Sequence, residues 1–216
     1  MTNNSKETIV IGAGGHGKVV VSLLQELGFS ISRILDDDRS KWGSSILDVP
    51  VNGSIDVLYQ LQVSSAILGI GNNTTRLALA RKFAEKVSWI TAVHPYSFIH
   101  SSVTIGEGTV VFAGSIIQPG TVIGKHCIVN TGATVDHDCI IKDGTHIAPG
   151  CHLAGSVSVG ENVFFGIGAS VIPGCSIGQN TVVGAGATVV SNLPGNVVAV
   201  GIPAKPIGKI EETRHL

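Results

Sequence analysis

Aromatic side chains are scarce in this chain of 216 residues: phenylalanine, tyrosine and tryptophan together make up 5%. Any core must therefore be built mainly from aliphatic side chains, and a hydrophobic share of 44% is ample for that. Surplus charge is missing as well. The formal net charge is −1 and no basic patch stands out, so nucleic acid is not an expected partner. No apolar run approaches the ~18 residues of a membrane-crossing helix, which sets a membrane partner aside. The start Met1–Glu7 is polar and has no apolar signal-peptide core, so a cytoplasmic setting is expected. There are 4 cysteines, Cys127, Cys139, Cys151 and Cys175. They could form a metal site or two disulfides, but all fall on one phase of a repeat, and that favours small buried residues in a corner over ligands.

The repeat is what the chain has in place of those features. Stepping by six from Ile99 lands on a large apolar residue every time as far as Val189. Two residues before each step, from Ile105 onward, lies a small residue such as Thr109, Thr121, Cys139 or Ala169. A period of six fits neither an amphipathic helix nor an alternating strand. It is the period of hexapeptide β-helices, whose units bury their apolar side only by stacking on one another. At three hexapeptides per turn, about five coils are expected. Abundant glycine suits the corners of such a coil.

Before the repeat the pattern differs. Thr8–Ile11 reads as a strand running into Gly12-Ala-Gly-Gly-His-Gly17, followed by a helix over Lys18–Leu27 that stops at Gly28. A second strand, Ile31–Leu35, delivers Asp36, Asp37 and Asp38. Strand, glycine turn, helix, strand and acid is the order of a mononucleotide-binding βαβ unit, in which glycine lets a phosphate approach the helix N-terminus and the acid can take a ribose hydroxyl. Trp42–Asp56 reads as loop and Val57–Gln62 as a short helix or strand. A third strand, Ser65–Ile70, ends in Gly71-Asn-Asn, and Thr74 is the expected cap of a helix reaching Lys86. Residues 1–93 are thus expected to form a small α/β domain and 94–216 the β-helix with a tail.

Within the coil, His137 falls between two inward positions in Val135-Asp-His-Asp-Cys139, so packing does not demand it. An imidazole titrating near neutrality suits a general base, and either Asp138 or Asp136 could orient it. His126 and His152 also miss the inward phase and are expected on the solvated outer face.

The Gly-x-Gly-Gly-His-Gly turn, Leu35-Asp-Asp, Ile70-Gly-Asn-Asn and the hexapeptide coil together resemble the sugar acetyltransferases of the PglD/NeuD type, in the hexapeptide-repeat acyltransferase superfamily. The resemblance implies a Rossmann-like βαβ domain followed by a left-handed parallel β-helix. It also implies transfer of acetyl from acetyl-CoA to a sugar, most often the amine of a nucleotide-linked 4-amino-4,6-dideoxy sugar, by a homotrimer without a metal. The alternative acceptor is a sugar hydroxyl of the sialic acid type. Carried over position by position, Gly14, Gly15, His16, Asp36, Asp37 and Gly71 would hold the nucleotide sugar, with His16 otherwise serving to cap its helix. His137 would be the base and Asp138, where the family often has glutamate, its partner. His146, Gly155, Ile167, Ala185 and Lys205 would meet the cofactor, Gly155 through its N–H at the thioester carbonyl. The segment Gly201-Ile-Pro-Ala-Lys205 recurs in this superfamily along the CoA channel.

Two other functions compete. A zinc enzyme of the γ-class carbonic anhydrase kind would need a histidine pair five residues apart, whereas the gaps from His94 through His152 are 6, 26, 11, 9 and 6. A non-catalytic scaffold that senses a nucleotide and trimerises would tolerate replacement of His137.

Overall fold

The computed structural model describes residues 8–61 and 65–210; Met1–Glu7 and Gln62 lie outside them. The chain divides into two compact units, Met1–Ala92 and Val93–Leu216.

The first unit is built on a parallel sheet of β1 (Thr8–Ile11), β2 (Ile31–Leu35), β5 (Ser65–Leu68) and β6 (Ser88–Trp89) in the order β2-β1-β5-β6. All residues of β1 and β5 are buried, as expected of parallel strands covered on both faces. Helix α1 covers Gly15–Glu26 and ends in a Schellman motif: Gly28, at φ +74, donates to the Gln25 carbonyl, and Phe29 donates to that of Leu24. Between β2 and β5 the expected loop contains a hairpin of β3 (Ser45–Ile46) and β4 (Val49–Pro50). Its central pair Leu47-Asp48 has φ +48 and +66, the conformation of a turn that normally advertises itself by Asn-Gly, so the sequence carried no sign of it. Ile55–Tyr59 is a 3-10 helix. Helix α2 runs from Asn73 to Lys82: it starts earlier than the sequence suggested, because Asn72 rather than Thr74 caps it by accepting from the Thr75 N–H at 2.9 Å, and it ends at the cap residue Phe83, short of Lys86.

The second unit is a three-sided parallel solenoid. Each two-residue strand pairs with the strand eighteen residues on, as in Ile116↔Thr134 and His152↔Ser170, which is three hexapeptides per coil. Two faces carry six such rungs and the third five, so the coil is longer than the anticipated five turns. It starts earlier, because Ala92–Val93 already joins one of its faces, so Val93 belongs to the coil and not to the α/β unit. It also runs on beyond Val189. Leu193 bridges Ile177 and Val198 pairs with Val182, both at an offset of sixteen, so the final turn omits two residues and the solenoid continues where the strict repeat breaks off.

Physical causes for both phases of the repeat are plain. The large apolar side chains point inward and are buried, from Ile117 through Phe165 to Val189. The small phase fills the corners, where hydroxyls and thiols bond to the carbonyl fifteen residues on. Thr121 Oγ1 donates to Asp136 O at 2.7 Å, Cys139 Sγ to Ala154 O at 3.2 Å and Thr145 Oγ1 to Gly160 O at 3.0 Å. All four cysteines are buried, and none is in a disulfide. Every sixth residue turns the corner with positive φ, mostly glycine; His126, Asp138, Ser156, Asn162 and Asn180 hold that position at φ +52 to +62. His126 departs from the expected outer-face placement. It is 6% exposed, and its ring lies so close to Gly108 that a Cβ there would sit 2.1 Å from Nδ1. His152 does lie on the outer face, its Nδ1 2.9 Å from Thr134 Oγ1.

Candidate functional site

A cavity of about 430 Å³ in the first unit opens at the carboxyl ends of β1, β2 and β5. Its lining includes all six residues anticipated there: Gly14, Gly15, His16, Asp36, Asp37 and Gly71. The glycines divide by function. A Cβ on Gly17 would lie 2.0 Å from the Gly12 carbonyl oxygen, and one on Gly69 would lie 2.7 Å from the Gly17 Cα, so these two let the helix pack tightly on the strands. A Cβ on Gly14 or Gly15 would meet nothing within 4 Å. Their emptiness faces the cavity. Gly14 is the N-cap of α1 and makes no side-chain capping bond, and the first turn carries no acid, so its N–H groups remain suited to an anion.

The acids have separate tasks. Asp36 Oδ2 accepts from the Ala13 N–H at 2.7 Å and from Lys41 Nζ at 3.0 Å, while Oδ1 accepts from the Asp38 N–H at 2.8 Å. Burial alone would raise its pKa, but these bonds and the lysine charge outweigh that and hold the carboxyl below its ordinary value. Asp36 therefore ties the glycine turn to the loop after β2. Asp37 accepts from the Ile55 N–H through Oδ1 at 2.9 Å. His16 lies against Gly71, and burial, reinforced by the nearby Arg76 charge, lowers its pKa to about 4. It is neutral at physiological pH. Arg76 itself is 1% exposed and donates to the Ile70 and Gly71 carbonyls at 3.0 and 3.1 Å, bracing the end of β5. Lys41, Thr75 and Arg76 were not singled out from the sequence. Arg76, beside Leu77 on the buried side of α2, was the one legible signal among them.

On the solenoid, His137 and Asp138 occupy the corner after the strand Thr134–Val135. Asp138 Oδ2 accepts from His137 Nδ1 at 2.8 Å, and Asp136 Oδ1 accepts from the His137 backbone N–H at 2.8 Å. The two acids thus bond different parts of His137. Asp138 orients the ring and Asp136 the backbone, and the shorter carboxylate reaches because Asp138 takes the left-handed corner conformation at φ +57. The Asp138 hydrogen bond comes first among the influences that raise the His137 pKa, with partial desolvation opposing and the charges of Asp136 and Asp138 assisting. With Nδ1–H given to a carboxylate, the lone pair sits on Nε2. Gly155 stands one coil further on, directly against the imidazole. The equivalent corner N–H groups at Thr131 and His137 are bonded to Asn130 and Asp136 side chains; among the described residues no acceptor takes that of Gly155.

The remaining candidates lie elsewhere on the coil. Ile167 and Ala185 stack eighteen residues apart at another corner, both exposed, with Gly186 N–H donating to the Ile167 carbonyl at 2.8 Å. Lys205 begins an exposed strand, Lys205–Lys209, antiparallel to Val197–Val200. His146 is buried on a third position, edge-on to Phe164 with ring centroids 5.2 Å apart and with Nε2 3.1 Å from Asn130 Nδ2. Asn130, sixteen residues earlier, was not anticipated from the sequence. One corner of the solenoid thus unites His137, Asp138 and Gly155 from adjacent coils, and another unites Ile167 with Ala185, but the two groups are not brought together.

A glycine-turn α/β unit joined to a hexapeptide solenoid bearing a carboxylate-bonded histidine is the architecture of a hexapeptide acyltransferase with an α/β N-terminal domain. The comparisons bear this out. Residues 7–83 match the family model described as PglD N-terminal domain, and 120–155 and 156–191 match bacterial transferase hexapeptide repeats. A crystal structure of a histidine-to-asparagine mutant of perosamine N-acetyltransferase from Caulobacter crescentus, in complex with CoA and GDP-perosamine, shares 42% identity at a TM-score of 0.90, covering 94% of this chain and 97% of that one. The acetyltransferase domain of PglB from Neisseria gonorrhoeae in complex with acetyl coenzyme A shares 37% identity at a TM-score of 0.87, over 94% and 100% of the two chains. UDP-N-acetylbacillosamine N-acetyltransferase from Bacillus subtilis is 38% identical over 50% of this chain and 52% of that protein, so the match spans about half the length of that curated relative. The chain belongs to the family of PglD-type sugar acetyltransferases.

Proposed function

We propose that this protein transfers acetyl from acetyl-CoA to the amine of a nucleotide-linked 4-amino-4,6-dideoxy sugar, with His137 as general base. The observation that carries the reading is the His137–Asp138 pair, which leaves Nε2 as the basic atom. Support for donor and acceptor comes from the relatives solved with acetyl coenzyme A and with GDP-perosamine. The N-terminal cavity is suited to the nucleotide diphosphate through the positive end of α1 at Gly14 and Gly15, with Asp37 available to a ribose hydroxyl.

In this mechanism the sugar amine attacks the thioester carbonyl directly. Nε2 of His137 takes the amine proton, and the Asp138 carboxylate stabilises the imidazolium that forms. The Gly155 N–H donates to the developing oxyanion, and the C–S bond breaks to release CoA thiolate, which recovers a proton. The four thiols are buried, which argues against an acetyl-cysteine intermediate. His146, Ile167, Ala185 and Lys205 are assigned to the cofactor. Because they sit away from the His137 corner, we assign the complete site to neighbouring copies in a homotrimer. Ile116, Val122 and Ile140, exposed on the two faces that meet at that corner, suit such an interface. A cytoplasmic setting accords with these substrates, and no described helix is long and apolar enough to cross a membrane.

A thiol-release assay with acetyl-CoA against a panel of nucleotide-linked 4-amino sugars and free sialic acid tests the proposal. One nucleotide amino sugar should turn over, and His137→Ala should lower kcat by ~10²–10⁴. A rate within a few-fold of wild type in the variant would remove His137 as base. Turnover of sialic acid alone would replace the amine by a hydroxyl acceptor.

A further inference from the structure

We infer that Gly120 and Gly155 are positioning residues that seat the Asp138–His137 pair from the two adjacent coils. The inference rests on the assignment of His137 as base. The solenoid stacks each corner on the one eighteen residues away, so Asp138 lies over Gly120 and His137 under Gly155. A Cβ on Gly120 would stand 2.5 Å from Asp138 Oδ1, the carboxylate oxygen not engaged with the histidine. A Cβ on Gly155 would stand 2.5 Å from both Cε1 and Nε2 of His137. Each distance is well inside van der Waals contact. The carboxylate and the ring thus keep their places because the residue stacked against each has no side chain.

Gly155 is the cleaner case. Its φ is not in the left-handed region, so alanine costs no backbone strain there, and alanine retains the N–H assigned to the oxyanion. What alanine removes is the space for the imidazole. The ring is exposed and can swing aside without unfolding anything, so the damage falls on chemistry and not on stability. At Gly120, φ is +75, and alanine also meets the ordinary left-handed penalty. Gly132 separates the two effects. It turns an equivalent corner at φ +66 with nothing within 4 Å of its notional Cβ, so Gly132→Ala carries the backbone penalty alone.

The test uses the full-length enzyme. Gly155→Ala should lower kcat by ~10²-fold, the scale of an ångström-sized misplacement, while the KM values for acetyl-CoA and for the sugar stay near wild type. Retention of wild-type kcat, or a raised acetyl-CoA KM with kcat intact, overturns the seat. For Gly120, the His137 imidazole is titrated by NMR without substrate. Gly120→Ala should bring its pKa down toward the ordinary 6.5 as the Asp138 bond is lost, while Gly132→Ala should leave it at the wild-type value. Equal titrations in the two variants overturn the proposal. His137→Ala measured alongside keeps the outcomes distinct. Activity surviving in that variant defeats the base assignment, yet the NMR titration still reads whether the glycine holds the pair.

Discussion

Neutral His16 makes the stability of the α/β unit depend on pH in a way that can be isolated. Its folded pKa is about 4 against an ordinary 6.5, because burial and the Arg76 charge oppose protonation. As pH falls below the ordinary value, the unfolded chain takes up a proton that the folded chain refuses, so stability drops until the folded pKa is reached. The full difference of about 2.5 pKa units corresponds to about 3 kcal/mol at 1.36 kcal/mol per unit. Between about pH 7.5 and about pH 5 the share already lost is about 2 kcal/mol. His16 is the only histidine among residues 1–92. Asp36 and Asp38 are held below 3.8, so their stabilising bonds are lost only at lower pH. The two tryptophans, Trp42 and Trp89, both belong to the first unit, so their fluorescence follows its urea unfolding. Wild type should lose about 2 kcal/mol over this interval, and His16→Gln should lose correspondingly less. Parallel pH profiles for the two proteins would refute the reasoning.

Two further outcomes follow from the site and the core. Asp138→Ala removes the bond that heads the causes raising the His137 pKa, so a larger fraction of imidazole is neutral in acid, and the acid limb of the kcat/KM profile should move to lower pH as the maximal rate falls; an unmoved limb would show that another group titrates. Phe165→Ala removes a fully buried ring from the narrow interior of the solenoid and should cost about 3–5 kcal/mol, read as a lowered Tm.

How much of this was legible follows from which physical forces the repeat expresses. The inward aliphatic phase is dictated by burial alone, so the three-sided solenoid could be read from spacing, as could the glycine turn and the acids around the N-terminal cavity. Features resting on a single unusual backbone choice were not legible. The Leu47-Asp48 hairpin turn and the buried corner of His126 lack the residues that normally announce such conformations. Nor did the strict repeat show that the coil survives a two-residue omission near Leu193, because pairing tolerates a shortened corner provided the inward phase is resumed. The His137 corner stands between these cases. His137 was visible as a residue that packing did not require, but its surroundings are neighbours at an offset of eighteen, outside any local window. Once three hexapeptides are known to make a coil, that offset becomes readable: Gly155 and Gly120 are the residues stacked on His137 and Asp138, and their lack of side chains is the condition for the pair to stand where it does.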